Sequence, residues 1–440
     1  MIKDKNIAYI SLFGLVVRLI IFFIFYTHVT IFPDSSGYID LSEHILALEY
    51  SGYDGMRSPG YPLIIAMSFG NLYVTVFYQF LLGIITAVLW YLLLQNLKFS
   101  KKESLIITMF LQTFINVYFF ETAILMESFV LFLMSLVFYL ITCKKQSFKI
   151  NVILGLVFGY LVLTKPFYLF IPFLLYGFWF LKEPRDFKKL TSKLIVLVIP
   201  VLVFVGWSSV INKHHGYFSS TTLMGVYLSQ NCVRFAEKSP DEYNWLAEPY
   251  AYYRDKSIAE NKNLAMSIWY AYGDGAYDEY GLEFSELSEA LKEYAIVTIK
   301  NNPKDYFHQV VFYSWRDFWR PTIYWNYNDF NFKNANKLFW AIWFVQKSIL
   351  HAFTVVFLLL IPILTIKAIK NRTIDMGFII MSVIFMASVL QAILTYGTNN
   401  RFSFPFEFLI IISGLLYFKE KDWWFLKPLI SKFNRWQLAS

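Results

Sequence analysis

Long apolar runs almost free of charge decide what this chain can become. Ten recur, at 7–26, 72–94, 103–120, 122–141, 150–164, 166–181, 191–211, 339–366, 373–395 and 403–418. A helix needs about 20 residues to cross the hydrocarbon layer of a bilayer. Inside that layer each backbone N–H and C=O must find a partner within the protein, which helices provide. The expected fold class is an all-α polytopic membrane protein with about 10 transmembrane helices, in a range of 9–12. Only 16% of the residues are charged and the mean hydropathy is +0.47, whereas a soluble domain carries roughly 25% charged residues. The run 7–26 exceeds a signal-peptide core, and no small-residue cleavage site follows it, so it is expected to stay as a membrane helix. The 150–181 region is interrupted by Lys165-Pro166. Proline disfavours helix at the preceding residue, so two short helices meeting at an outer turn are expected there.

The basic residues set the orientation. Lys3 and Lys5, then Lys98, Lys101 and Lys102, then Lys144, Lys145 and Lys149, then Lys182, Arg185, Lys188, Lys189 and Lys193, then Lys367, Lys370 and Arg372, and finally Lys419, Lys421, Lys427, Lys432 and Arg435 all fall on one face when ten spans are counted. The positive-inside rule puts that face and both termini in the cytoplasm of a plasma (inner) membrane protein, with the acidic or mixed loops outside. The net charge of +8 is thereby assigned to topology. No basic and aromatic face outside the membrane pattern indicates nucleic acid. Cys143 and Cys232 are expected on opposite sides, which excludes a disulfide framework or thiolate metal site.

The predicted organisation is an N-terminal transmembrane module, 1–211, with a first outer loop at 27–62; an extracytoplasmic segment, 212–337; and a C-terminal module with a basic tail, 338–440. Within the segment, 283–300 has helical periodicity, with Phe284, Leu287, Leu291, Ala295 and Ile296 on one stripe, and Asn301-Asn302-Pro303 ends it. The aromatic stretch 306–320 suits an interfacial helix. The whole segment is expected to be a small helical cap.

The stretch 32–62 carries seven acidic, basic or imidazole side chains: Asp34, Asp40, Glu43, His44, Glu49, Asp54 and Arg57. Asp34 lies in a Pro-Asp-Ser-Ser-Gly turn. It either caps the helix that follows, itself or through a neighbouring serine, or serves chemistry. Asp40, Glu43, His44 and Glu49 read as the solvated face of an interfacial helix whose apolar face includes Ile39, Leu41, Ile45 and Leu48. Glu127 lies about two turns into a span, where an ionisable residue is costly and by default functional. Glu121 is placed at the boundary. Lys165 and Arg401 are cations at outer span ends. They either snorkel to the interface or hold a lipid-linked phosphate. Arg57, Arg316 and Arg320 are further outer cations. His214-His215 reads as a loop feature, because adjacent histidines do not converge on one metal. No Gly-rich phosphate loop, nucleophile elbow or HExxH motif occurs, which argues against ATP-driven transport and against serine or zinc hydrolysis.

These residues carry a resemblance. An acidic residue after the first span, a short helix, then Arg57-Ser58-Pro59-Gly60-Tyr61-Pro62 resembles the first outer loop of GT-C class membrane glycosyltransferases. The nearest motifs are those of bacterial relatives of protein O-mannosyltransferases and lipid A aminoarabinose transferases. Leu125-Met126-Glu127-Ser128 resembles their acidic position at the start of a later span. Leu163-Thr164-Lys165-Pro166 resembles a segment with Arg-Pro in the family, and Arg401 to Pro405 a final-span motif. The resemblance covers 1–211 and 339–418. It implies transfer of a sugar from a polyprenyl-phosphate donor to a lipid, glycan or protein acceptor at the outer face, as in building a cell-envelope glycan. Under it, Asp34 and Glu127 are catalytic, as base and as a carboxylate stabilising an oxocarbenium-like state, and displacement inverts the anomeric centre. Arg57, Tyr61, Glu121, Lys165 and Arg401 bind substrate. The family is described with paired acids in this loop. Here Ser35 and Ser36 follow Asp34, which puts a divalent cation in doubt. Two other classes fit the same pattern: a transporter or flippase for a lipid-linked saccharide, which usually shows an internal repeat, and a glycan polymerase or ligase. No repeat is evident.

Overall fold

Each of the ten apolar runs is mostly helical in the computed structural model, which describes residues 4–143, 147–182 and 186–421. Among the described residues there is no strand, only an isolated bridge between Thr30 and Ala123. Of the basic residues that set the expected orientation, Lys3, Lys144, Lys145, Arg185, Lys427, Lys432 and Arg435 lie outside the described residues. Among the described residues, six helices are long and apolar enough to cross a membrane: Lys5–Phe25, Leu72–Asn96, Phe187–His215, Ala335–Asn371, Met376–Leu394 and Asn399–Glu420. Lys101–Leu111 and Ile115–Thr122 form a bent pair, and Glu127–Thr142, Phe148–Thr164 and Pro166–Lys182 are apolar but shorter. The chain is thus a polytopic helical membrane protein.

Two expected spans are reshaped by contacts from far along the chain. The run 103–120 bends by 57° after Leu111. The Gln346 side chain satisfies the break, accepting from Ile115 N at 2.9 Å and donating to the Thr113 carbonyl at 2.6 Å. The run 122–141 starts its helix only at Glu127. Residues 123–126 are held out of it because Thr30 N donates to Thr122 O at 2.9 Å and Ile124 N to Thr30 O at 3.0 Å. By contrast, Lys165 is extended between Phe148–Thr164 and the turn Pro166–Leu169, as the residue before a proline tends to be.

The described basic segments share one end of the bundle. Lys101 pairs with Asp4 at 3.2 Å, Lys419 with Glu103 at 2.9 Å, and Lys367 with Asp375 and Glu420 at 2.9 and 3.0 Å. Asn151 reaches Ser192 O, and Phe178 meets Phe378 across the adjoining helices. Cys143 follows the Glu127–Thr142 helix at this end, while Cys232 is buried in the cap.

The segment 212–337 divides between two cores. Its first part is a cap with a core of its own, built on Val226, Phe235, Leu246, Tyr250, Ile268, Leu287, Leu291 and Tyr294. Within Phe284–Asn301 the stripe runs through Leu287, Leu291 and Ala295 as expected. Tyr294 takes the place expected for Ile296, which is exposed. From Trp315 onward the aromatics Trp315, Phe318, Trp319 and Trp325 enter the bundle core instead. Buried amides bolt the cap to the bundle. Asn231 donates to the Ala392 and Ile393 carbonyls at 3.0 and 2.9 Å, and Thr395 to Gln230 at 2.6 Å. Ser314 donates to Asn231 at 2.7 Å, and Asn399 to Ser314 O at 2.9 Å. This fixes the entry to the last span, where Arg401 sits. His214 and His215 are the last two residues of Ile195–His215 and not a loop.

Candidate functional site

The site grows from the junction that interrupts the 122–141 run. The non-helical 123–126 backbone meets the opening loop twice, through the Thr30–Ala123 bridge and through Ser35, whose hydroxyl donates to Ile124 O at 2.9 Å. Ser35 also accepts from Phe32 N, so Phe32, not Asp34 or a serine, holds the cap position of Pro33–Ala47. Asp34 falls in the first turn and its carboxylate is left to face inward. Glu127 opens its own helix rather than lying two turns inside it. One backbone junction therefore places both carboxylates.

Arg401 joins them. Its Nη2 is 2.5 Å from Asp34 Oδ2 and its Nε is 2.7 Å from Glu127 Oε1. The second contact is an ion pair without hydrogen-bond geometry, since neither atom has a directed partner. Arg57 Nη2 donates to Asp34 Oδ1 at 2.9 Å, and its guanidinium lies over the Tyr38 ring. Gly37 lets the Arg57 side chain pass close to the helix, where a Cβ would stand 3.1 Å from Nε. The two guanidinium groups hold the Asp34 carboxyl well below the usual carboxylate range, against the cost of burial. The side chain of Asp34 is 30% exposed and that of Glu127 only 2%, so the cluster opens to solvent on the Asp34 side.

Lys165 completes the group. Its Nζ is buried, finds no hydrogen-bond acceptor, and lies 2.9 Å from the centre of the Phe402 ring, against Phe167 and Tyr168. The extended backbone before Pro166 puts it there. Arg57 is aimed by its loop, which docks on the same helix end: Gly60 N donates to Leu163 O at 2.9 Å and Tyr160 to Gly60 O at 3.0 Å. A Cβ on Gly60 would overlap the Thr164 backbone. Gly60→Ala should therefore lower stability by about 1–3 kcal/mol, the usual cost of overpacking, read as a reduced melting temperature in detergent.

Five of the seven expected site residues, Asp34, Glu127, Arg57, Lys165 and Arg401, gather here. Tyr61 is fully buried beneath them and donates to Gln79 at 3.3 Å. Gln79 in turn accepts from Ser128 and donates to the Glu121 and Ala123 carbonyls, so Tyr61 supports the junction. The Glu121 carboxylate is taken up elsewhere. It is buried inside the bundle, and Arg18 grips it with two bonds of 2.8 and 2.6 Å. Arg316 and Arg320 are exposed, Arg320 lying 3.8 Å from Asp317. Leu48, expected on the apolar face of the opening helix, is a left-handed cap and 86% exposed.

Sequence reasoning missed Arg18, although it is the one charge inside the run 7–26 and such residues are rarely idle. Removing one partner of a buried ion pair costs about 3–5 kcal/mol, whereas replacing both by apolar residues is often neutral. Glu121→Gln should therefore destabilise, and Arg18→Met/Glu121→Met should recover the loss, both read by thermal unfolding. Tyr324, near Arg401, and Phe402, under Lys165, were also missed.

No group of three or more His, Cys, Asp and Glu able to hold a metal ion occurs among the described residues. Asp34 and Glu127 are both engaged by Arg401, which a cation would have to displace, so the cluster does not fit a divalent ion. Comparison with protein-family models, curated proteins and solved structures returns no match.

Proposed function

We propose that the chain is a GT-C-like inverting glycosyltransferase that takes a sugar from a polyprenyl-phosphate donor at the outer face of the plasma (inner) membrane. Counting the bent pair once and the three shorter helices as crossings gives ten spans, and the positive-inside rule then assigns the basic end and both termini to the cytoplasm. The observation that carries the reading is Lys165: a buried amino group with no acceptor, at a cluster where two arginines share the Asp34 carboxylate. The cluster sets three basic side chains against two carboxylates, and an arriving lipid phosphate would supply the anion that Lys165 lacks at a membrane-level site.

The chemistry follows from charge. The acceptor hydroxyl oxygen attacks the anomeric carbon, the bond from that carbon to the phosphate oxygen breaks, and the electron pair leaves with the phosphate. Lys165 and Arg401 stabilise that growing charge. The hydroxyl proton passes to Asp34, whose solvent-facing side returns it to water. Glu127 lies near the positive charge of the oxocarbenium-like state. In the resting cluster Asp34 is a weak base, because two arginines hold it. Phosphate binding draws those guanidinium groups away and frees it, so the donor must bind before the acceptor is deprotonated. The acceptor, as lipid, glycan or protein, lies on the Asp34 side.

Binding of undecaprenyl phosphate to the purified protein in nanodiscs tests the reading. Charge-assisted hydrogen bonds contribute about 1.5–3 kcal/mol, so Lys165→Met should weaken binding roughly 10- to 100-fold with little change in melting temperature. Equal binding by wild type and variant contradicts it. Lipid-linked saccharide crossing vesicles with no donor consumed would favour the transporter instead.

A further inference from the structure

A further buried carboxyl, unused by this chemistry, lies along the Arg401 span. Glu407 opens the Glu407–Glu420 helix and accepts one hydrogen bond, from Asn116 Nδ2 to Oε2 at 2.7 Å. Both residues are buried, Asn116 completely. Glu407 Oε1 and Asn116 Oδ1, on the same two terminal groups as that bond, are buried acceptors with no donor. Among the described residues no cation pairs with Glu407, unlike Glu121 and Glu127, which each meet an arginine.

The two side chains line a partly open pocket of about 20 Å³, together with Trp90, Leu111, Leu131, Leu350 and Phe408 and their neighbours. That is room for about one water molecule. Among the lining residues Glu407 is the only ionisable one. Trp90, whose N–H is the other side-chain donor in the lining, gives it to Ser135 at 2.9 Å. An isolated carboxylate in such surroundings is very costly, and two bare acceptors side by side add to the cost.

We propose that Glu407 and Asn116 form a hydrated proton-binding site. Glu407 carries a proton on Oε1, a single water accepts that O–H, and the water donates to Asn116 Oδ1. This arrangement gives both orphaned oxygens a partner and removes the net charge. It ties Ile115–Thr122, the second half of the bent pair, to the helix that follows Arg401. The site stands whether or not the protein transfers sugars.

Infrared spectroscopy of the purified full chain at neutral pH tests it. The expected result is a protonated-carboxyl C=O band that shifts to lower frequency in heavy water and is missing from Glu407→Gln. The same band in Glu407→Gln overturns the proposal. So does a melting temperature that rises with sodium chloride over choline chloride in wild type but not in Glu407→Gln, which would assign a metal cation. If the variant does not fold, wild-type protein is treated with dicyclohexylcarbodiimide, an apolar reagent that requires a protonated carboxyl. An adduct mapped to Glu407 by peptide mass spectrometry is expected, and adducts at other carboxyls with none at Glu407 contradict the assignment.

Discussion

Arg401→Ala is expected to slow sugar transfer roughly 10²–10³-fold and to destabilise the fold by about 3–5 kcal/mol, the usual result of breaking a buried pair. The two effects have separate causes. Arg401 touches both Asp34 and Glu127, and Glu127 is almost fully buried, so its loss strands a negative charge in the core. Transfer slows because a cation facing the leaving phosphate is gone. The double variant Arg401→Ala/Glu127→Gln separates them. It should regain melting temperature, because the stranded charge is gone, and remain slow in transfer. Arg401→Lys keeps the charge but offers one point where a guanidinium spans two carboxylates, and should recover only part of either property.

Asp34→Asn is expected to lower the rate of transfer about 10²–10⁴-fold, the range for a lost general base, while undecaprenyl phosphate binds as well or better. Asparagine cannot take the proton, but it also releases Arg57 and Arg401 for the phosphate. The pH dependence carries the same logic. In the free protein the Asp34 carboxyl sits well below the usual carboxylate range. When the donor takes its guanidinium partners, it should rise toward the ordinary value of about 3.9. The acid limb of kcat, which reports the loaded protein, should therefore lie at higher pH than that of kcat/KM, which reports the free one. Coincident limbs would contradict the exchange of partners.

What could be read from the sequence was what local rules decide. The helix class follows from the apolar runs, the break at Lys165 from Pro166, and the end of Phe284–Asn301 from Asn302 and Pro303. What could not be read depends on residues distant along the chain. The bend after Leu111 is completed by Gln346, and the late start at Glu127 by Thr30. Asp34 is not a cap because Phe32, with the Ser35 hydroxyl on its N–H, starts the helix ahead of it, and Glu127 meets an arginine far along the chain. Asp34, Glu127, Lys165 and Arg401 were legible as residue types at costly positions, but their convergence was not. Glu121 shows the converse. The sequence placed it at a span boundary as a substrate-binding candidate, yet its partner Arg18, an unusual charge within an apolar run, is what takes up its carboxylate.

The most direct measurement is release of polyprenyl phosphate from a synthetic polyprenyl-phosphate sugar by the purified protein, with membrane extract as the source of acceptor. Wild-type protein should release it only when extract is present, forming a product of inverted anomeric configuration, and Asp34→Asn should release almost none. Release that persists in Asp34→Asn would remove Asp34 from the mechanism, and no release from wild type under any acceptor would contradict the account as a whole.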